Sequence, residues 1–202
     1  MLTPTRLSTE QRQADIVAAA LLLARDSSPA LITTSDIAAA IGVTQGAVFK
    51  HFPTKDAIWL ACMAWIRARL TSSLEAAATA AADAPFAALA AVFEAHVGFI
   101  VAHPGVPRLI FHELQGSADA ATKREVQGLL RAYRKLLRRL LDAEVARGTI
   151  DPDADLDAAA TLFVGIVQGL VMQSMASASV AGMKERAAAL FAIYERGLRR
   201  AP

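Results

Sequence analysis

The chain has 202 residues, enough for one large domain or two small ones, and 54% of them are hydrophobic, chiefly Ala and Leu, so a substantial core can be buried. The formal net charge is +2, from 21 basic and 19 acidic residues, which excludes a uniformly basic nucleic-acid coat protein; any contact with a polyanion must use a local patch. One cysteine, Cys62, excludes an internal disulfide and suits a reducing cytoplasm, and no cysteine–histidine cluster offers a structural zinc site.

Aromatic and β-branched residues are sparse outside a few short segments, so helix propensity is high nearly everywhere and an all-α fold is expected. The start, MLTPTRLSTEQRQ, is polar and has no apolar signal stretch, and residues 1–7 read as a flexible tail. A first helix is expected over 8–26, capped by Ser8 or Thr9, with Ile16, Ala20 and Leu23 at helical spacing. Ser27, Ser28 and Pro29 break it. Thr33 with Asp36 three residues on is a capping-box pattern that opens a second helix, which stops at Gly42. Thr44 caps a third helix that Pro53 ends, and Thr54 caps a long fourth helix over 55–80. Asp83, Ala84 and Pro85 mark a break. A fifth helix starts with Pro85 in its first turn and runs to about 101, where His103, Pro104 and Gly105 end it. A short sixth helix covers about 106–115. The seventh is long, from Asp119 to Arg147, and stops at Gly148; the eighth covers about 155–177 and the ninth runs from Ala181 to Arg199.

The uncharged run 158–183 is long enough to cross a bilayer. Thr161, Gln168, Gln173, Ser174, Ser177 and Ser179 interrupt it, and a helix buried between packed protein surfaces accounts for it better.

Residues 32–56, ITTSDIAAAIGVTQGAVFKHFPTKD, place two short helices around a tight turn and lead at once into a third, long one. This is the layout of a helix-turn-helix, whose second helix lies in the DNA major groove. With Gly42, Thr44, Phe49, His51, Phe52 and Lys55 all in register, the stretch 12–60 resembles the DNA-binding region of the tetracycline-repressor (TetR) family of bacterial transcription regulators. The rest of the chain resembles that family in helix number and length. The resemblance implies an all-α fold of about nine helices, with a DNA-binding domain over 1–54 and a ligand-binding and dimerisation domain over 55–202. It further implies a homodimer on a palindromic, double-stranded operator, usually a repressor, released by a small molecule. A regulator that activates, or one without an inducer, would share this fold, and a membrane-associated helical protein has only run 158–183 in its favour. No nucleophile elbow, phosphate loop or zinc-protease motif is present, and an enzyme is not expected.

The second and third helices carry the expected DNA contacts. Thr33 and Thr34 stand at a helix amino end, where hydroxyls and free N–H groups hold a phosphate, Thr33 acting mainly as the cap. Gln45, at the tip of the third helix, is the best candidate for direct readout, since glutamine bonds adenine N6 and N7 together. Thr44 caps that helix, and Gly46 and Ala47 are small enough for close approach to the bases. Val48 and Phe52 belong with Ile37, Ala38 and Ile41 in the core of the head. Phe49 stands where the family often has tyrosine; its ring suits a thymine methyl. Lys50, His51 and Lys55 are expected at phosphates. Ser35 stands where some relatives carry a longer side chain, so readout from the second helix should be weak.

In the remainder, Leu89, Phe93, His96 and Ile100 fall on one stripe of the fifth helix, which puts a histidine on an apolar face. A cavity among the fourth to eighth helices would be lined by Cys62, Trp65, Phe93, His96, Ile100, Phe111, Phe163, Val167 and Gln168. That largely apolar wall suits a hydrophobic or aromatic effector. His112 and Glu113 do not make a convincing metal site with His96, and no cofactor is expected. The eighth helix carries apolar residues around its whole circumference, with Gly165 and Gly169 on one face. Packing the eighth and ninth helices against their copies would bury it, although the glycine pair would also admit a helix of the same chain. Arg131, Lys135 and Arg138 give the seventh helix a basic face expected in solvent.

Overall fold

The computed structural model describes residues 8–117, 120–177 and 182–200. Nine α-helices lie among them: α1 (Thr9–Leu23), α2 (Thr34–Ala40), α3 (Gln45–Phe49), α4 (Lys55–Ala80), α5 (Ala87–Ala102), α6 (Gly105–Leu114), α7 (Ala121–Ala146), α8 (Leu156–Ala176) and α9 (Met183–Leu198). The tail 1–7 and the expected helix starts at Asp119 and Ala181 lie outside the described residues. The all-α reading holds, and the helix boundaries follow the local chemistry read from the sequence. Ser8 closes a capping box on α1, accepting from the Gln11 N–H at 3.1 Å while its own N–H donates to Gln11 Oε1 at 3.0 Å. Asp155 caps α8 by accepting from the N–H groups of Asp157 and Ala158 at 3.1 and 2.9 Å.

α1 ends at Leu23, short of the expected 26, α3 ends at Phe49, ahead of Pro53, and the start of α5 also departs from expectation. Pro85 does not begin α5; the helix starts at Ala87, after Phe86 has turned the chain in the left-handed conformation with φ of 60°. That conformation costs a side-chain-bearing residue about 1–2 kcal/mol. Here it delivers a large ring into the core, where Phe86 is 1% exposed and the Arg199 guanidinium stands 5.2 Å from its centroid.

The chain divides into two compact units. The first comprises residues 1–67 and 103–126, the second 68–102 and 127–202. The unit that holds the helix-turn-helix takes in the first half of α4, α6 and the beginning of α7. The reason is backbone packing that periodicity does not reveal. A Cβ on Gly105 would lie 2.0 Å from the Leu21 carbonyl oxygen and 2.9 Å from the Arg25 nitrogen, so α6 begins in van der Waals contact with the end of α1. The Cys62 thiol donates to the Val17 carbonyl at 3.8 Å, and the Trp65 and His103 rings meet edge-on at 5.1 Å. Ile16, Ala20, Ile37, Val48, Ile58, Ile66 and Leu109 supply the buried interior of this unit.

The second unit is organised around Phe163, which is fully buried. Phe93 meets it edge-on at 5.2 Å, Tyr194 at 5.5 Å and Tyr133 at 6.2 Å, an arrangement that sets positive ring edges against negative faces. α5 packs on α8 and α9, and the Tyr194 hydroxyl donates to the Ala159 carbonyl at 3.1 Å. The basic face of α7 lies in solvent as expected and finds exposed partners: Arg138 pairs with Asp142 and Asp157 at 3.0 and 3.7 Å, and Arg139 with Glu75. Exposed pairs of this kind add little stability.

α8 has two different sides in the single chain. Leu156, Phe163, Val167, Leu170 and Val171 are buried, whereas Leu162 and Met172 are each 55% exposed. It is long and apolar enough to span a membrane by length and composition, and a third of its apolar window is buried within the chain. A Cβ on Gly165 or Gly169 would meet nothing within 4 Å, so the glycine face does not receive a helix of the same chain.

Candidate nucleic-acid interface

Local chemistry sets up the helix pair. Thr33 accepts from the Asp36 N–H at 3.1 Å, while the Thr33 N–H and hydroxyl both donate to Asp36 Oδ2 at 2.8 and 2.7 Å. These two bonds, backbone first, and the nearby Lys55 ammonium hold the Asp36 carboxyl below the usual carboxylate range. After α2 the chain reverses at Gly42, whose φ of 67° is a conformation that glycine adopts without steric cost. Thr44 then caps α3 by accepting from the Ala47 N–H at 3.2 Å. Val48 turns inward with Ile37, Ala38 and Phe52, and Ile41 is partly covered at the edge of that cluster.

With Val48 as the inner side of α3, the outer side presents Gln45, Gly46, Phe49 and Lys50, all exposed. Phe49 leaves 43% of its surface open, which is costly in water and useful against thymine methyl groups. No atom stands within 4 Å of a Cβ placed on Gly46, so the front of the helix is unobstructed. Thr44 and Ser35 are exposed beside it, and Ala47 is half-buried.

Three of the expected contact residues are engaged by hydrogen bonds within the chain. Thr34 is buried at 8% exposure, and its hydroxyl accepts a 2.7 Å hydrogen bond from Gln45 Nε2 instead of standing open to a phosphate. Thr33 spends its hydroxyl on the capping box, and the adjacent Asp36 carboxylate would repel a phosphate there. The Lys55 ammonium donates to the Ala30 carbonyl at 2.9 Å, which ties the start of α4 to the turn before α2. The Gln45–Thr34 and Lys55–Ala30 bonds join residues 11 and 25 positions apart and are invisible to local pattern, whereas Thr33 and Asp36 form the capping box expected from the sequence. His51 is half-buried with Nδ1 enclosed, and its carbonyl accepts from Gln13 Nε2 at 3.3 Å. Gln13 was not anticipated. It anchors α1 to the end of α3, and an isolated glutamine on a first helix gives no sign of that role.

The Gln45–Thr34 bond has a chemical consequence. A glutamine amide has two N–H donors and one oxygen acceptor. One donor held by Thr34 restrains the side chain, leaving the second donor and the oxygen for a bidentate contact with an adenine edge.

The nine expected effector residues divide between the two units. Cys62, Trp65 and Phe111 belong to the first; Phe93, His96, Ile100, Phe163, Val167 and Gln168 belong to the second. Cys62 is not a cavity wall but core: it faces α1, and burial, with a contribution from the Glu113 carboxylate, pushes its thiol up to about 12. Trp65 is occupied by its ring contact with His103, and Phe111 is half-buried. Phe93, Ile100, Phe163 and Val167 are buried in the second unit, whereas Gln168 is on the exposed side of α8. His96 shares a 3.0 Å hydrogen bond through Nδ1 with the Tyr133 hydroxyl, and desolvation lowers its pKa to about 4, so the ring is neutral at pH 7. Tyr133, Phe191 and Tyr194 complete this cluster and were missed, because α7 and α9 read as a charged surface and a packing helix.

Comparisons with known proteins agree with this architecture. Residues 16–62 match the family model described as bacterial regulatory proteins, tetR family, and residues 113–190 match the tetracyclin repressor-like C-terminal domain. No curated protein matches the chain by sequence. Among solved structures, the fatty acid degradation regulator FadR from Bacillus halodurans superposes with a TM-score of 0.81 at 17% identity, covering 100% of both chains. FadR from Bacillus subtilis in complex with stearoyl-CoA gives 0.78 at 17% identity over 92% of this chain and 99% of that one. The ketosteroid regulator KstR2 of Mycobacterium tuberculosis gives 0.76 at 18% identity over 94% and 96%.

Proposed function

The chain belongs to the TetR family of bacterial transcription regulators, and from that premise we propose that it is a repressor that binds a palindromic operator as a homodimer and leaves it on binding a small hydrophobic ligand. The observation that carries the DNA reading is the outer side of α3, where Gln45 is restrained by Thr34 and flanked by Gly46, Phe49 and Lys50. Gln45 reads an adenine, Phe49 meets a thymine methyl, and Lys50 reaches a phosphate. Lys55 and Gln13 act one step back, holding α4 and α1 against the reading helices. A DNA target places the working protein in the cytoplasm.

Two half-sites about 34–36 Å apart call for two reading helices. The exposed apolar strip formed by Leu162 and Met172 on α8 and Ile193 on α9 supports dimerisation through those helices, and the open glycine face of α8 permits close approach. That second copy, not lipid, covers the uncharged run. The aromatic interior around Phe163, with His96 and Tyr133 as its polar pair, supports a hydrophobic effector in the second unit. The superposable FadR was solved with stearoyl-CoA, and KstR2 is a ketosteroid regulator, both consistent with an apolar effector.

The test is an anisotropy titration against the intergenic DNA flanking the gene, with wild type beside the Gln45→Ala, Lys50→Ala double variant. Wild type should bind tightly and lose affinity as salt rises. The double variant should bind at least about 10-fold more weakly, the loss of one base contact alone being about 1–3 kcal/mol. Equal binding by the two proteins would remove recognition from α3.

A further inference from the structure

Within the first unit a cleft of about 680 Å³ opens where the turn at Pro29 and Ala30, the start of α4, the end of α6 and the start of α7 come together. It is separate from the exposed side of α3 and from the aromatic interior around Phe163. Its volume lies within the range of small-molecule sites, about 300–1,000 Å³. Trp59, Leu60 and Ala57 give it an apolar wall.

Its polar lining is unusual for a structural crevice. Glu113 and Thr122 are each 9% exposed, and the Thr122 hydroxyl donates to Glu113 Oε2. Thr122 supplies one hydrogen bond and no charge, so a cation donating to this carboxylate would add a charge-assisted bond that the described lining does not provide. The other charged groups of the cleft do not supply one at that depth. Asp56 is a second carboxylate, exposed at the rim, and the Lys55 ammonium is directed to the Ala30 carbonyl. Among the described lining residues Glu113 and Asp56 are acidic and Lys55 is basic, and Glu113 is the least exposed of the three.

We propose that this cleft is a binding site for a small organic cation, an ammonium group borne on an aromatic or alkyl body. The ammonium hydrogens donate to the Glu113 carboxylate and to the free lone pairs of the Thr122 hydroxyl, and the body lies on Trp59 and Leu60. Charge-assisted hydrogen bonds made where water is excluded are the strong kind, so recognition depends on the charge and not only on apolar area. The site borders Lys55, which links α4 to the turn before α2, so an occupant sits against the support of the DNA-reading helices.

The experiment is a calorimetric titration of the full-length protein at pH 7 with three probes of one shape: 4-phenylbenzylammonium, 4-phenylbenzyl alcohol and biphenyl-4-carboxylate. The ammonium should bind with one site per chain and about 10-fold or more tightly than the alcohol, with the carboxylate weakest. Glu113→Gln should bring the ammonium down to the affinity of the alcohol while leaving the alcohol unchanged. Ala121→Phe, which fills the cleft from the half-buried first turn of α7 and leaves Glu113 in place, should weaken ammonium and alcohol alike and keeps the test available if Glu113→Gln does not fold. Equal affinity for ammonium and alcohol, preference for the carboxylate, binding indifferent to both substitutions, or no saturable binding of the ammonium would each overturn the assignment.

Discussion

At His96 the surroundings decide the chemistry of a residue whose type alone would allow either charge state. Burial lowers its pKa to about 4 from an ordinary value of 6.5, and Tyr133 shares its hydrogen bond. Between those two pH values the unfolded chain takes up a proton that the folded chain refuses. Stability is therefore complete above the upper value and declines as pH falls through the window. Urea unfolding at pH 7 and pH 5 should show a loss of stability for wild type that is smaller in His96→Gln, whose side chain keeps an acceptor for Tyr133 and does not titrate. Equal losses would mean that His96 is protonated in the folded protein. Gln45 and Thr34 make the same point for DNA recognition. Each residue type was legible as a DNA-contacting group, but their mutual bond was not. It joins the start of α2 to the start of α3 and restrains both side chains.

Among the elements, those with a local origin were the most legible. Capping groups at Ser8, Thr33, Thr44 and Thr54 placed the starts of α1, α2, α3 and α4, because a cap acts within three residues of its own position. α5 was less legible, since Pro85 resembles a helix start and only the burial of Phe86 explains why the chain first makes a left-handed turn. α6 shows what the packing of one element on another demands. Gly105 lies so close to the end of α1 that a Cβ would penetrate the Leu21 carbonyl, and its other neighbours are backbone atoms that cannot rotate away. Gly105→Ala should destabilise the protein by about 1–3 kcal/mol, the usual range for overpacking. The same variant should weaken operator binding, because α1 anchors α3 through Gln13. A wild-type denaturation midpoint would show that α6 does not need this close approach.

Across the whole molecule, α8 and α9 carry Leu162, Met172 and Ile193, each more than half open. The dimer proposed above would bury them. Light scattering should give a dimer for wild type, and Gly169→Arg combined with Ile193→Glu should give a helical monomer, since both changes fall on exposed positions and spare the core. The monomer should also lose most operator affinity, because a single head holds one half-site. A dimer that survives both changes would place the interface elsewhere. Tertiary contacts matter at this scale, since the compact unit that holds the helix-turn-helix continues through α4 to Arg67 and recruits α6 and the start of α7 from farther along the chain.

Read alone, the sequence determined the all-α class, the order and approximate ends of the helices, the helix-turn-helix, and hence the family. These depend on propensity, capping and short-range spacing, interactions that act within a few residues. Tertiary structure alone decided which helices share a core, that Cys62 faces α1, that Lys55 bonds the Ala30 carbonyl and Thr34 the Gln45 amide, and that Glu113 lies buried at a cleft. Those outcomes depend on contacts between residues tens of positions apart and on which charges lose their water, and neither is encoded in any local stretch of the chain.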